Sequence, residues 1–314
     1  MNDVYKLTIV IVNWNTVDLL EQCLYSLFAG HGSGKAIFRV IVVDNASMDS
    51  SVYMVENRYP SVKLIKNEFN VGFAKANNFA LSQINSEYVC LLNSDTVTSS
   101  RSFEDMLAFM DSHPNAVACA PALRLPDGEL QTGGAGFALS LATALNYFWF
   151  LSKLFPFICK GLFIDQNAYV RRGKPARVDW LAGACLVVRK TAIDAVGTLD
   201  ESFFMYAEDA EWCDRLRTVG DLYYLPALEI IHYHGASSKN TDSVSTKWLE
   251  ATFKYFSLKH NQIQSEVFRL IVCIGFILRI IIYCFLCCKS NKWSRNLRAM
   301  TTYLIFVLKW KFVK

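Results

Sequence analysis

The chain of 314 residues is long enough for one large α/β domain and an appendage. It is 53% hydrophobic and 14% aromatic, rich for a freely soluble enzyme and indicative of membrane contact. The net charge of +4 is uneven: Lys289 to Lys314 holds seven Lys/Arg and no Asp/Glu, so the preceding residues hold 25 basic and 28 acidic side chains. A basic tail on a slightly acidic body argues against general nucleic-acid binding and suits an anionic surface.

Lys6 to Asn13 reads as a first buried strand. It is the only apolar stretch near the N-terminus, and Asn13 ends it too early for a secretory signal, so a cytoplasmic body is expected. Val17 to Phe28 follows with Leu20, Leu24 and Leu27 at helical spacing. Arg39 to Asp44 is a second strand, ending in Asp44-Asn-Ala-Ser47. Asp44 either closes that turn or accepts hydrogen bonds from a base or ribose. Val62 to Ile65 is a third strand, and Asn70-Val-Gly72-Phe73 then leads into a helix through about Ile84. Gly72 permits close backbone approach to a ligand.

Tyr88 to Leu92 is a fourth apolar strand that stops abruptly on Asn93-Ser94-Asp95. Asp95 either caps the next helix or faces a ligand, because the carboxyl ends of parallel strands are where open α/β sheets bind. Strands alternating with helices of this length predict a mostly parallel sheet covered on both faces. Asn13, Asp44 and Asp95 then share one edge. No GxGxxG follows the first strand, which excludes the dinucleotide fingerprint.

A helix is expected at Phe103–Met110 and a strand at Ala116–Ala122, followed by a turn at Pro126-Asp-Gly128. Gly133 to Ile164 is apolar but interrupted, and reads as a hydrophobic loop or short helix on a membrane or over the site. Val178 to Arg189 returns to strand pattern, with Gly183 a point of close approach. A helix should begin near Ala207, with Glu208, Asp209 and Glu211 in its first turn. There they complement the helix dipole or serve chemistry. Glu211 and Arg215, four apart, are expected to form a surface ion pair. His232 and His234 end a last strand and point to one side of it. The ten cysteines mostly sit in apolar runs without paired CxxC spacing, so buried thiols are expected.

Six motifs in this order resemble the family 2 glycosyltransferases of GT-A fold, in particular their bacterial rhamnosyltransferase-like branch. They are Ile11-Val-Asn13-Trp-Asn15, Val43-Asp44-Asn45-Ala-Ser47, Asn70-Val-Gly72-Phe73, Leu92-Asn93-Ser94-Asp95, Trp180 to Cys185, and Phe203 to Arg215 continuing to His232, Gly235 and Ser237. The resemblance runs from Thr8 to about His260 and implies the fold and the roles that follow. Asn13, Asp44, Asn70, Gly72 and Asn93 would bind the nucleotide. The DxD motif falls on Asn93-Ser94-Asp95, with Asn in its first position, leaving Asp95 as ligand of a divalent Mg2+ or Mn2+. His232, rather than His234, would complete the metal site. Asp209 would be the general base with Glu208 beside it, and Trp180, Gly183 and Ala184 would face donor and acceptor sugars.

The chemistry agrees with these roles. A nucleoside diphosphate leaving group is neutralised by an oxygen-bound divalent ion, and a sugar hydroxyl needs one carboxylate to take its proton. The expected activity is inverting transfer of a sugar, with dTDP-rhamnose the donor candidate, to a lipid-linked or oligosaccharide acceptor in cell-surface polysaccharide assembly. A UDP- or GDP-hexose donor is the alternative. A sugar-1-phosphate nucleotidyltransferase lacks its Gly-rich phosphate loop here, and an inactive scaffold sits poorly with Asp44, Asp95 and Asp209 together.

The expected division is a catalytic domain over 1–260 and membrane-associated helices over 261–314. Leu270 to Cys288 is 19 residues with one charge, Arg279, whose insertion would cost about 2.5–3.5 kcal/mol at a bilayer centre. A helix lying in the interface on the cytoplasmic face of the inner membrane is therefore preferred to a span. A hairpin closed by Tyr303 to Leu308 is a second form, with Trp293 and Trp310 at headgroup level, and a helix buried in a bundle is the alternative to both.

Overall fold

The computed structural model describes residues 5–29, 38–156, 158–233, 244–286 and 291–312, with the side chains of 291–294 excepted. His234, Gly235, Ser237, Lys289 and the Trp293 side chain lie outside the described residues.

The chain opens with β1 (Leu7–Asn13), α1 (Val17–Phe28), β2 (Phe38–Asp44), α2 (Ser51–Arg58), β3 (Lys63–Lys66), α3 (Phe73–Leu81), β4 (Tyr88–Asn93), β5 (Thr96–Val97) and α4 (Ser100–Ser112). Next come β6 (Ala116–Arg124), β7 (Ala135–Gly136), α5 (Leu141–Phe148), α6 (Leu151–Leu154), α7 (Gln166–Arg172), β8 (Ala176–Val178), β9 (Trp180–Leu181), β10 (Cys185–Arg189) and α8 (Lys190–Val196). It ends with α9 (Glu208–Leu216), β11 (Asp221–His232), α10 (Lys247–Lys259), α11 (Gln262–Leu286) and α12 (Asn291–Lys309).

Nine strands form one sheet in the order β3-β2-β1-β4-β10-β6-β11-β5, with β8 pairing β11. β3, β2, β1 and β4 run parallel, as do β6 and β11. β1 and β4 are almost wholly buried because helices cover both faces, which is why their sequences are continuous apolar runs rather than alternating ones. α1 contributes Leu20, Cys23, Leu24 and Leu27, one stripe at helical spacing, to this core.

One direction differs from the simple parallel pattern. The stretch read as a single strand over 178–189 divides into β8, β9 and β10, and β10 runs antiparallel between β4 and β6. Cys185, its first residue, lies opposite Leu92 near the end of β4. The chain therefore enters β10 at the edge where β1, β2 and β4 end, and Gly183 and Ala184 come to that edge. β5 turns back antiparallel to β11, pairing Thr96 with His232, which sets His232 beside Asp95.

The chain divides into two compact units. The first comprises Met1–Ala135, Asp165–Phe204 and Glu208–Lys239; the second comprises Gly136–Ile164, Met205–Ala207 and Asn240–Lys314. In the second unit α5, α10, α11 and α12 pack around Phe148, Phe253, Phe256, Phe268 and Phe276. Gly275 of α11 meets α5 closely: a Cβ there would stand 2.5 Å from Phe148 Cβ and 2.9 Å from its carbonyl oxygen. One turn on, Arg279 is buried. It donates to the Phe148, Gly275 and Tyr147 carbonyls and lies 4.3 Å from the Phe150 ring centroid. The charge that looked costly in the sequence is thus turned inward and satisfied.

The opposite face of α11 exposes Ile263, Val267, Leu270, Ile277, Ile281 and Phe285. By length and composition α11 is the one helix among the described residues able to cross a membrane. Six of the eight cysteines among the described residues are buried.

Candidate active site

Four strand ends meet at the carboxyl edge of the sheet. At the end of β1, Asn13 is fully buried and its amide donates to Asp44 Oδ1 and Ser47 Oγ, both at 3.1 Å. Thr16 donates to Asn13 Oδ1 at 2.7 Å. Asp44 Oδ2 in turn accepts the Ser47 N–H at 2.9 Å. Asp44 thus closes the turn over Asp44–Ser47 with its side chain.

Asn45 is a hub that the sequence reading left without a role of its own. Its amide donates to Asn70 Oδ1 (2.8 Å) and the Gly72 carbonyl (3.3 Å), and its Oδ1 accepts from Asn67 Nδ2 (3.0 Å) and Val71 N–H (3.1 Å). Gly72 has φ +87°, and a Cβ there would lie 2.7 Å from the Phe204 carbonyl oxygen, so only glycine fits this crossing without strain.

At the end of β4, Asn93 Nδ2 is 3.2 Å from His232 Nε2, and Asp95 Oδ1 is 3.1 Å from the same nitrogen. His232 Nδ1 lies 2.7 Å from Gln131 Oε1, a residue the sequence reading did not single out. One carboxylate, one side-chain amide and one imidazole therefore converge, all three buried or nearly so. Among the described residues no group of three or more His, Cys, Asp and Glu side chains gathers as a metal cage. A two-ligand oxygen-and-nitrogen site still fits a small hard cation such as Mg2+, which keeps waters and takes substrate phosphates as its remaining ligands.

The backbone links this corner to the candidate base. Asn93 N–H donates to the Ala184 carbonyl at 2.9 Å. The adjacent Gly183 N–H donates to Asp209 Oδ2 at 3.0 Å, and Ala210 N–H to Asp209 Oδ1 at 2.8 Å. Burial raises the Asp209 carboxyl above its ordinary range, against those backbone bonds, which favour the charged form. Glu208 is pushed up to about 8, first by burial and then by the Asp209 charge. Its Oε2 is buried with no hydrogen-bond partner among the described residues. Trp180 is half-buried in β9, three residues from Gly183.

The pair Glu211–Arg215, expected at the surface, is instead half-buried, and Arg215 also donates to the Val196 and Thr198 carbonyls. It ties α9 to the turn that follows α8. A pairwise sequence rule sees only the partner one turn away.

Comparison with known proteins places these observations. Residues 8–173 match the family described as Glycosyl transferase family 2. The chain is 30% identical over 258 residues to an N-acetylglucosaminyl-diphospho-decaprenol L-rhamnosyltransferase of Mycobacterium tuberculosis, covering 78% of this chain and 80% of that protein. It is 38% identical over 84 residues to the rhamnosyltransferase WbbL of Escherichia coli K12, covering 26% and 32% respectively. Its fold resembles that of the mannosyltransferase PcManGT from Pyrobaculum calidifontis, solved with GDP-Man and Mn2+. The TM-score there is 0.59 at 11% identity, with 96% of this chain and 86% of that one covered. The GT-A fold expected from the motifs is the one found.

Proposed function

Since the chain belongs to glycosyl transferase family 2 and is a glycosyltransferase, we propose that it transfers rhamnose, with inversion, from dTDP-rhamnose to a polyprenyl-diphosphate-linked sugar in cell-surface polysaccharide synthesis. The observation that carries this reading is the chain of contacts Asn93–Ala184–Gly183–Asp209, which brings a base-competent carboxylate to the strand edge holding Asp44 and Asp95. The rhamnosyl and lipid-linked character comes from the mycobacterial relative.

In this reading Asn13, Asp44, Asn70, Gly72 and Asn93 hold the nucleotide, and Asp95 with His232 holds a divalent ion. When bound, that ion neutralises charge developing on the diphosphate leaving group. Gly183 N–H fixes one oxygen of Asp209, leaving the carboxylate to take the acceptor hydroxyl proton on the face opposite the leaving group. A single base on that face gives inversion. Trp180, Gly183 and Ala184 border the sugar positions. Catalytic residues over 1–260 and membrane-associating helices over 261–314 remain our proposed division of labour. The exposed apolar stripe of α11 with the basic tail would rest on the cytoplasmic face of the membrane, where a lipid-linked acceptor is reached in two dimensions.

The test is transfer from a panel of radiolabelled sugar nucleotides to short-chain polyprenyl-diphosphate acceptors, with and without chelator. Transfer from dTDP-rhamnose alone, lost with chelator and restored by Mg2+ or Mn2+, is expected. Preference for a UDP- or GDP-hexose would overturn the donor, and chelator-insensitive transfer would remove the metal role of Asp95 and His232.

A further inference from the structure

Four buried side chains form a polar relay that ends on the candidate metal corner. Tyr224 OH, on β11, is 3.3 Å from Gln166 Oε1, at the start of α7. Gln166 Nε2 donates to the Gln131 carbonyl at 2.5 Å, and Gln131 N–H donates to the Leu123 carbonyl at 2.9 Å. The Gln131 backbone is thus held from both sides, and its side-chain oxygen lies 2.7 Å from His232 Nδ1. The relay leaves little room to shift. A Cβ at Gly134 would lie 2.9 Å from Gln166 Nε2, so the bare backbone there keeps Gln166 in place. Gln131, Gln166 and His232 are each less than a tenth exposed, and Tyr224 is fully buried.

We propose that Gln131 is a positioning residue for His232: its amide oxygen accepts the Nδ1–H, fixing the ring plane so that Nε2 faces Asn93 and Asp95, the corner proposed for a divalent cation. The chemistry is that of an imidazole ligand whose second nitrogen is tied to an acceptor, which sets the tautomer and the ring plane together. An amide suits this task better than a carboxylate, since it accepts the proton's hydrogen bond without adding a charge to a buried site. Asn93 Nδ2 at 3.2 Å and Asp95 Oδ1 at 3.1 Å both face Nε2. The relay reaches His232 through β6, α7 and β11, so it orients the ring by the packing of the sheet itself. The metal part of this inference rests on the role proposed above for His232; the tautomer part does not.

The experiment uses the full chain labelled with 15N-histidine, with His232→Gln to assign the signal, recorded metal-free at about pH 8, where an ordinary imidazole is neutral. The wild type should show a protonated Nδ1, whether or not Nε2 also carries a proton toward Asp95. Gln131→Met, which matches the side chain in length and removes the acceptor, should lose that preference and bind Mn2+ about 10-fold or more weakly in the presence of dTDP. Gln131→Glu restores an acceptor and should recover the tautomer. A wild-type ring protonated at Nε2 alone would overturn the proposal without any variant, as would an unchanged tautomer in a folded Gln131→Met. A tautomer that changes while Mn2+ affinity does not would uphold the positioning and instead overturn His232 as a metal ligand.

Discussion

Asp209 and Glu208 are neighbours with different prospects. Asp209 accepts from two backbone N–H groups, which favour its charged form against burial, whereas Glu208 is buried with one oxygen unpartnered among the described residues. Asp209→Asn should abolish transfer, lowering kcat by at least about 100-fold, while leaving nucleotide affinity near wild type. Isothermal titration with dTDP beside a transfer assay checks this, and substantial residual turnover would remove Asp209 as the base. Because burial raises its carboxyl, the rate should fall on acidification at a pH above the ordinary carboxylate range.

Glu208 makes a second prediction through stability. Its folded value, about 8, exceeds its ordinary 4.5, so the folded state holds the proton more tightly. That contribution is fully present below about 4.5 and is lost as pH rises through about 8, on the order of a few kcal/mol across the window. Glu208→Gln should therefore flatten the fall in melting temperature between those two values, and an unchanged slope would contradict the assignment. The nucleotide-binding candidates at strand ends were legible because apolar runs stop on polar residues, as β1 does on Asn13 and β4 on Asn93; Asp209 came from the resemblance. Gln131 was not legible. It lies in a loop with no periodicity, and its meaning comes only from pairings that bring β11 beside β5 and β6.

Among the elements, α5 and α11 show how a charge and a missing side chain can serve one contact. Gly275 admits Phe148 to backbone distance, and Arg279 then reaches the carbonyls at the C-terminal end of α5, where a cation also meets the helix dipole favourably. Gly275→Ala would overpack this crossing and cost about 1–3 kcal/mol. Arg279→Met would leave the Tyr147 and Phe148 carbonyls without that donor, costing about 1–3 kcal/mol. Hydrogen exchange of α5 and α11 should rise in both variants, and protection equal to wild type would show that the crossing does not depend on them. Composition alone marked Arg279 as a penalty on insertion, because a sequence does not say which side of a helix its neighbours will cover. The antiparallel β10 was hidden for a similar reason. Apolar runs report burial on both faces and are silent about direction, which the loop through Gly183 decides.

For the whole molecule, the proposed membrane association asks the apolar stripe of α11 and the basic C-terminal residues to meet the same kind of surface. Binding to vesicles should require anionic lipid and weaken as salt is raised, with each Lys/Arg near the surface contributing about 1 kcal/mol at low ionic strength. Replacing Ile277 and Ile281 by Glu should reduce vesicle co-sedimentation severalfold without altering turnover on a water-soluble acceptor. Retained binding to neutral vesicles, or retained binding by that variant, would rule out this face. The fold itself was largely readable from the alternation of buried strands with amphipathic helices. The division into two units was less so, because Gly136–Ile164 joins the C-terminal helices across a long stretch of chain.

The four bonds made by Asn45 carry a consequence for how a ligand arrives. Asn67, Asn70, Val71 and Gly72 are already held by one amide at the end of β2. In the proposed site, a nucleotide entering beside Asp44 would therefore meet a rim whose ordering entropy was spent during folding rather than at the encounter. Association should be a single concentration-dependent phase in stopped flow. Asn45→Ala should add a slower phase whose rate levels off with concentration, the mark of a loop that must close after contact; a single phase in both proteins would show that the rim is rigid without Asn45.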